Sequence, residues 1–160
     1  MITQKQLQEE LHYDPDTGMF TWLVQKSNRV YVGRVALPNG RRRVTLRIDH
    51  HTYAASRLAF LYMNGAMPSG VIDHIDGDTT NNRWNNLRDV PQRVNTQNIR
   101  HPHSDNKTGF QGVVRKPSGK FAANIFIDGR QTSLGLYETA EAANAVYVRT
   151  KRLRHEGCTI

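Results

Sequence analysis

In the run VIDHIDGDTTNNRWNNLRDVPQRVNTQN, residues 71–98, an adjacent Asp73 and His74 are followed by regularly placed asparagines and then by a predicted helix. Neighbouring side chains on a strand point to opposite faces, so near a turn one of the pair can hold a metal ion while the other faces a water beside it. Asn95 can add a second oxygen ligand from the helix. Hard oxygen ligands without thiolates suit Mg²⁺ first and Mn²⁺ second, ions that keep several waters and complete their shell with substrate phosphate. Phosphodiester hydrolysis needs a base to activate water, a cation to offset charge on the pentavalent phosphate, and a stabilised leaving oxygen. His74 and one divalent ion could supply all three. An isolated Asp-His pair reads more simply as a turn carboxylate and a solvated imidazole, so the whole constellation has to be weighed.

The elements around this run must position it. Thr3 followed by Gln6 suits a capping box, and Leu7 with Leu11 gives one apolar edge, so a short helix is expected to open the chain and end before Tyr13. YDPDTGMFTWLV predicts a turn at Pro15 and Gly18 running into a strand over Met19 to Val24. Val44, Leu46 and Ile48 alternate with Arg43, Thr45 and Arg47 after an Asn39-Gly40 pair, which predicts a hairpin turning there, with a basic outer face. Helical spacing returns over Ala55 to Met63, and Gly65 is placed to stop that helix. VIDHIDGD reads as a short strand turning at Gly77, and Val90 to Arg100 as a polar helix.

The breaker-rich segment after Arg100 has little to anchor it in a core, so we expect a first domain over 1–100, a linker over 101–108 and a second domain over 109–160. Beyond the linker, FQGVVRK, KFAANIFI and QTSLGLY predict three strands before a helix capped at Thr139, that is, a three-stranded antiparallel sheet packed on one helix. Ala142, Ala143, Val146 and Tyr147 are the expected helix face against that sheet. The fold class is α+β throughout.

The segment from Tyr13 to Asn98 resembles the His-Asn-His homing endonucleases of phages, which carry a ββα-metal core, here about 55–100. The likeness lies in YDPDTGMFTW, SRLAFLYMNGAMPSGVIDHIDGDTTNNRWNNLR and the N-T-Q-N that follows. The resemblance implies His74 as general base, Asp73 and Asn95 as ligands of a single Mg²⁺ or Mn²⁺, and Asn86 as the central asparagine that braces the loop carrying His74. Asparagine stands at the last metal position instead of histidine, which lowers affinity for softer ions such as zinc. Ser56 stands before Arg57-Leu58 where many relatives have histidine. Asp76, Asp78, Asn81, Asn82 and Asn85 read first as turn formers. Trp22 and Trp84 read as core or lid residues, His50 and His51 as surface, and His101, His103 and His155 take no metal assignment.

The run from Thr108 to Gly157 resembles the plant ethylene-response-factor (AP2/ERF) DNA-binding domain, through GVVRKPSGKFAANI, SLGLYETAEAANAVY and the basic helix end. That family lays its sheet in the major groove. The resemblance places Gln111, Val114, Lys116, Ser118, Lys120, Asn124, Phe126, Gln131 and Ser133 toward DNA, with Arg115 and Arg130 available to phosphates. Val114, Ser118, Phe126 and Ser133 replace expected arginine and tryptophan and imply a different base preference.

Composition agrees with a nucleic-acid partner. The 160 residues carry a formal charge of +8, spread along the chain. Double-stranded DNA is the expected partner, with no obligate protein partner evident, and Arg43, Arg47 and Arg57 could add backbone contacts. A single cysteine, Cys158, argues against a disulfide framework or a thiolate zinc site. The longest apolar run, near Leu58 to Met63, is too short for a bilayer and the N-terminus lacks a signal-peptide core, so no membrane association and a cytoplasmic location, in a host cell, are expected. Two rivals stay open: a DNA-binding regulator whose nuclease-like half is only a scaffold, and a nuclease selective for RNA or for structure.

Overall fold

The structure is a computed structural model and describes residues 2–36 and 43–160. The chain divides into two compact units that part between Gln92 and Arg93.

In the first unit, α1 (Gln4–Glu10) starts from a reciprocal box: Gln6 N donates to Thr3 Oγ1 and Thr3 N donates to Gln6 Oε1. β1 (Leu11–Asp14) and β2 (Met19–Trp22) form an antiparallel hairpin, and the two-residue β3 (Val35–Ala36) pairs on β2. Its turn is set by the Asp14 carboxylate, which accepts from Asp16 N and Thr17 Oγ1, and by Gly18 at φ 74°. β4 (Thr45–Ile48) pairs with β5 (His51–Ala54), and α2 (Ala55–Asn64) ends at Gly65 in the left-handed region. β6 (Val71–His74) and β7 (Leu87–Val90) make a second small antiparallel pair, with Asp73 opposite Arg88 and His74 opposite Leu87. One apolar cluster, including Leu7, Tyr13, Phe20, Leu46, Leu58 and Leu87, lies under all of these elements.

One strand expectation falls outside the described residues and another is corrected here. The Asn39-Gly40 turn lies outside the described residues, and the strand after it makes its hairpin with β5 through Asp49 and His50, whose φ values of 45° and 67° suit a tight two-residue turn. β2 stops at Trp22, because its partner strand begins only at Leu11: Leu23 N still donates in register to Glu10 O, 2.8 Å away, but Glu10 is already the last residue of α1. The expected alternation over residues 43–48 is present, with Val44, Leu46 and Ile48 buried and Arg43, Thr45 and Arg47 exposed.

Val90 to Arg100 is not one helix. Val90 ends β7, and α3 runs over Gln92–Gln97. Pro91 accounts for the break, since it disfavours helical backbone at the residue before it while its own fixed φ suits a helix start.

In the second unit, β8 (Val113–Arg115), β9 (Phe121–Ile127) and β10 (Arg130–Tyr137) form an antiparallel sheet in the order β10-β9-β8, with α4 (Ala140–Arg154) packed on it. Thr139 caps α4 by accepting from Ala142 N. The buried helix positions are Ala140, Ala143, Tyr147 and Lys151; Val146 is half-buried and Ala142 is exposed, one step off the expected stripe. The chain from Arg93 to Arg100 is tied to the C-terminus of the same unit. Arg93 pairs with Glu156, Gln97 Oε1 accepts from Gly157 N, and Arg100 Nη2 donates to Thr159. Residues assigned from sequence to the end of the first domain therefore pack with the second unit.

Candidate active site

β6 delivers Asp73 and His74 to the end of a strand, and both are buried, at 4% and 6% exposure. The turn that follows is closed by Gly77 N donating to His74 O and by Ile75 N donating to Asn86 O. Asn86 belongs to a single 3₁₀ turn, Trp84–Asn86, and its carboxamide spans the loop. Its Oδ1 accepts from Asp76 N at 2.9 Å, while its Nδ2 donates to Asp76 Oδ1 at 2.9 Å and to Asn81 O at 2.8 Å. One side chain therefore holds both ends of the loop carried by His74. The Asp76 carboxylate also accepts from Asp78 N and Asn81 Nδ2. Burial, the largest single influence, pushes its pKa up, but the Asn81, Asp78 and Asn86 hydrogen bonds together hold it below the usual carboxylate range.

His74 Nε2 lies 3.1 Å from Asn82 Oδ1. An acceptor at that distance makes Nε2 the N–H donor, so the neutral ring carries its basic lone pair on Nδ1. Asn82, 3% exposed, is itself fixed on several sides. Its Nδ2 donates to Thr80 O, and its backbone carbonyl accepts from Tyr13 Oη at 2.7 Å. Burial first, and then the neighbouring Asp14 charge, push the Tyr13 phenol's pKa well up, so it stays a neutral donor. Gly18 supports the same segment: a Cβ there would lie 2.3 Å from the Asn82 carbonyl carbon. Trp84 N donates to Pro15 O. The YDPDTG hairpin is thus the platform beneath the residue that orients His74.

Asp73 meets Arg88, whose Nε and Nη2 donate to Asp73 Oδ2 at 2.8 and 2.6 Å. Among the described residues no group of three or more His, Cys, Asp or Glu side chains is placed to hold a metal ion. Any ion here would rely on the Asp73 carboxylate together with amide oxygens, waters and substrate, a hard-oxygen set that fits a Mg²⁺-like ion. Asn95 lies on α3, half-buried in the second unit.

The basic residues divide. Arg43 and Arg47 are exposed, whereas the Arg57 guanidinium donates to the carbonyls of Pro68 and Gly70 at 3.3 and 3.2 Å and so holds the loop before β6. In the second unit Arg115, Lys116, Ser118, Arg130 and Gln131 are exposed. Lys120 pairs with Glu138, and Gln111 Oε1 accepts from the buried Lys151. Register places Val114, Asn124, Phe126, Gln131 and Ser133 in one phase of the sheet, opposite to that of Val113, Ala123 and Ile125. Val114 and Phe126 are 51% and 64% exposed, which fits a face turned away from α4.

Sequence reasoning passed over Asn82 and Arg88. Asn82 sits among several asparagines that look alike as turn formers, and only the fold separates it from them. Arg88 could have been found from the strand pairing, which sets it across from Asp73.

Residues 53–97 match the family model described as HNH endonuclease. The chain therefore carries an HNH endonuclease domain, and HNH enzymes act on DNA. The chain is also similar to Protein 3.8 of Escherichia phage T7, with 32% identity over 94 residues, covering 58% of this chain and 76% of that protein. It belongs to the same family as that phage protein. No solved structure matches the chain. Among the described residues no helix is long and apolar enough to cross a membrane.

Proposed function

We propose that the protein is a metal-dependent, homing-type DNA endonuclease that hydrolyses phosphodiester bonds of double-stranded DNA with His74 as general base, acting in the cytoplasm of a host cell. The observation that carries this reading is the buried His74 held through Nε2 by Asn82, at the head of a loop spanned by Asn86, inside the matched HNH segment. His74 Nδ1 takes the proton of the attacking water. Asn82 keeps the ring in the tautomer that can do so and stabilises the imidazolium that forms. Asn86 holds the loop so that the imidazole is presented without reorganisation. Asp73 would hold one Mg²⁺ or Mn²⁺, which when bound offsets charge on the phosphate and stabilises the leaving 3′ oxygen. Hydrolysis in this sense leaves a 5′-phosphate end.

The second unit, in this reading, is an AP2/ERF-like module that supplies target affinity through the sheet face opposite α4. Support comes from the alternation that turns Val114, Asn124, Phe126, Gln131 and Ser133 to one side, with the exposed cations Arg115, Lys116 and Arg130 at or just past the ends of β8 and β10. The test is cleavage of supercoiled plasmid or phage DNA with Mg²⁺ or Mn²⁺ by the wild type and by His74→Ala, with an RNA duplex in parallel. Nicked or linear DNA produced only by the wild type is expected. Salt-sensitive DNA binding with no cutting by either protein would make it a regulator, and preferential cutting of RNA would reassign the substrate.

A further inference from the structure

Asp73 and Arg88 face each other across β6 and β7, and two guanidinium nitrogens of Arg88 donate to the same carboxylate oxygen, Oδ2. The Asp73 side chain is only 5% exposed, whereas Arg88 keeps 27% of its side chain in solvent. A buried carboxylate requires a positive partner, because desolvation otherwise opposes its charge. Here that partner is a cation of the protein itself, at the one carboxylate best suited to hold a divalent ion. A guanidinium and a divalent ion in contact with one carboxylate repel each other strongly at such range, the more so away from bulk water. The same planar fork that grips a carboxylate also grips phosphate, and DNA brings phosphate to this surface.

Resting on the nuclease reading above, we propose that Arg88 gates metal binding. In the DNA-free protein it occupies Asp73 and keeps affinity for divalent ions low; a DNA phosphate then draws the guanidinium away and leaves the carboxylate to the ion. The backbone need not move, because the strand register fixes both Cα positions and the exchange is a change of arginine rotamer toward solvent. Asp73, being buried, stays where it is. The ion and DNA then bind cooperatively, each raising the affinity of the other by the same factor. A nuclease built this way completes its site only on DNA.

The experiment is a Mn²⁺ titration of the full chain followed by electron paramagnetic resonance of the free ion, with and without a saturating short DNA duplex. All proteins carry His74→Ala so that the duplex stays intact. Adding duplex to this parent should tighten Mn²⁺ binding about tenfold, within the usual range of coupling between ligands. Adding Arg88→Gln should give about that gain without DNA and abolish most of the response to duplex. Because Arg88→Gln leaves Asp73 without its arginine, Arg88→Lys is measured beside it, with circular dichroism to confirm folding. Lysine retains the charge but not the fork, and an intermediate affinity is expected. Mn²⁺ affinity that is the same in the parent and in the folded variants, or weaker in the variants, overturns the gate while leaving the nuclease reading intact. Failure of every protein to bind Mn²⁺, with or without duplex, overturns both.

Discussion

In the proposed reaction His74 takes the proton and Asn82 holds its ring, and their variants should separate the two roles. His74→Ala should lower single-turnover cleavage by about 10²–10⁴-fold, the span of a general base, with DNA affinity nearly unchanged. Asn82→Ala removes the acceptor on Nε2 without removing the base, so cleavage should fall by about tenfold to a hundredfold, the usual span for a partner that orients a functional histidine. If Asn82→Ala cut as fast as the wild type, the orienting role of Asn82 would be lost. Asp76 allows a test of the loop by pH. Its folded pKa is depressed, so its contribution to stability is present above the ordinary carboxylate pKa and is lost as pH falls through the folded value. Melting temperature should therefore fall between about pH 5 and pH 3 less steeply in Asp76→Asn than in the wild type.

At the scale of elements, the β1–β2 hairpin is the support of the site and Gly18 is where the two meet. Gly18 and Gly33 both have positive φ, at 74° and 84°, but a Cβ at Gly18 would run into the Asn82 backbone, whereas one at Gly33 meets nothing within 4 Å. Gly33→Ala should cost about 1 kcal/mol of stability, from backbone strain alone. Gly18→Ala should cost several times as much, about 3 kcal/mol, by adding displacement of the segment behind His74. Thermal denaturation gives the stability difference, and cleavage that falls only in Gly18→Ala would place the hairpin in the function. Much of this level was legible from local signals: the capping box of α1, the Gly65 stop of α2 and the alternation over residues 43–48 are each written in a few adjacent residues. The partner of β4 was not, because its turn runs through Asp49 and His50, a pair that without glycine gives only a weak local signal for positive φ.

Across the whole molecule, the charge of +8 should dominate how tightly DNA is held before any base is read. Affinity measured by fluorescence anisotropy over a salt series should fall linearly on logarithmic axes. Lys116→Ala and Arg130→Ala should each reduce the slope by about one if these exposed side chains reach phosphates. An unchanged slope in both would remove them from the interface. The division of the chain also belongs to this scale: residues 93–100 look like the tail of the nuclease motif in sequence, yet their ion pair and hydrogen bonds run to Glu156, Gly157 and Thr159.

Sequence by itself marked the segment that the HNH endonuclease model matches, since its Asp-His pair at a strand end and the spaced asparagines after it lie within a few adjacent residues. It also determined the three strands and capped helix of the second unit, whose turn and cap signals are local. Tertiary structure alone decided which asparagine touches His74, that Arg88 stands on Asp73, that Arg57 is taken up by backbone carbonyls, and that Gly18 lies behind the site. The reason is physical: capping, alternation and turn formation act over two to four residues along the chain. The partner of a buried polar group is instead chosen by which distant segment the packing brings within hydrogen-bond reach.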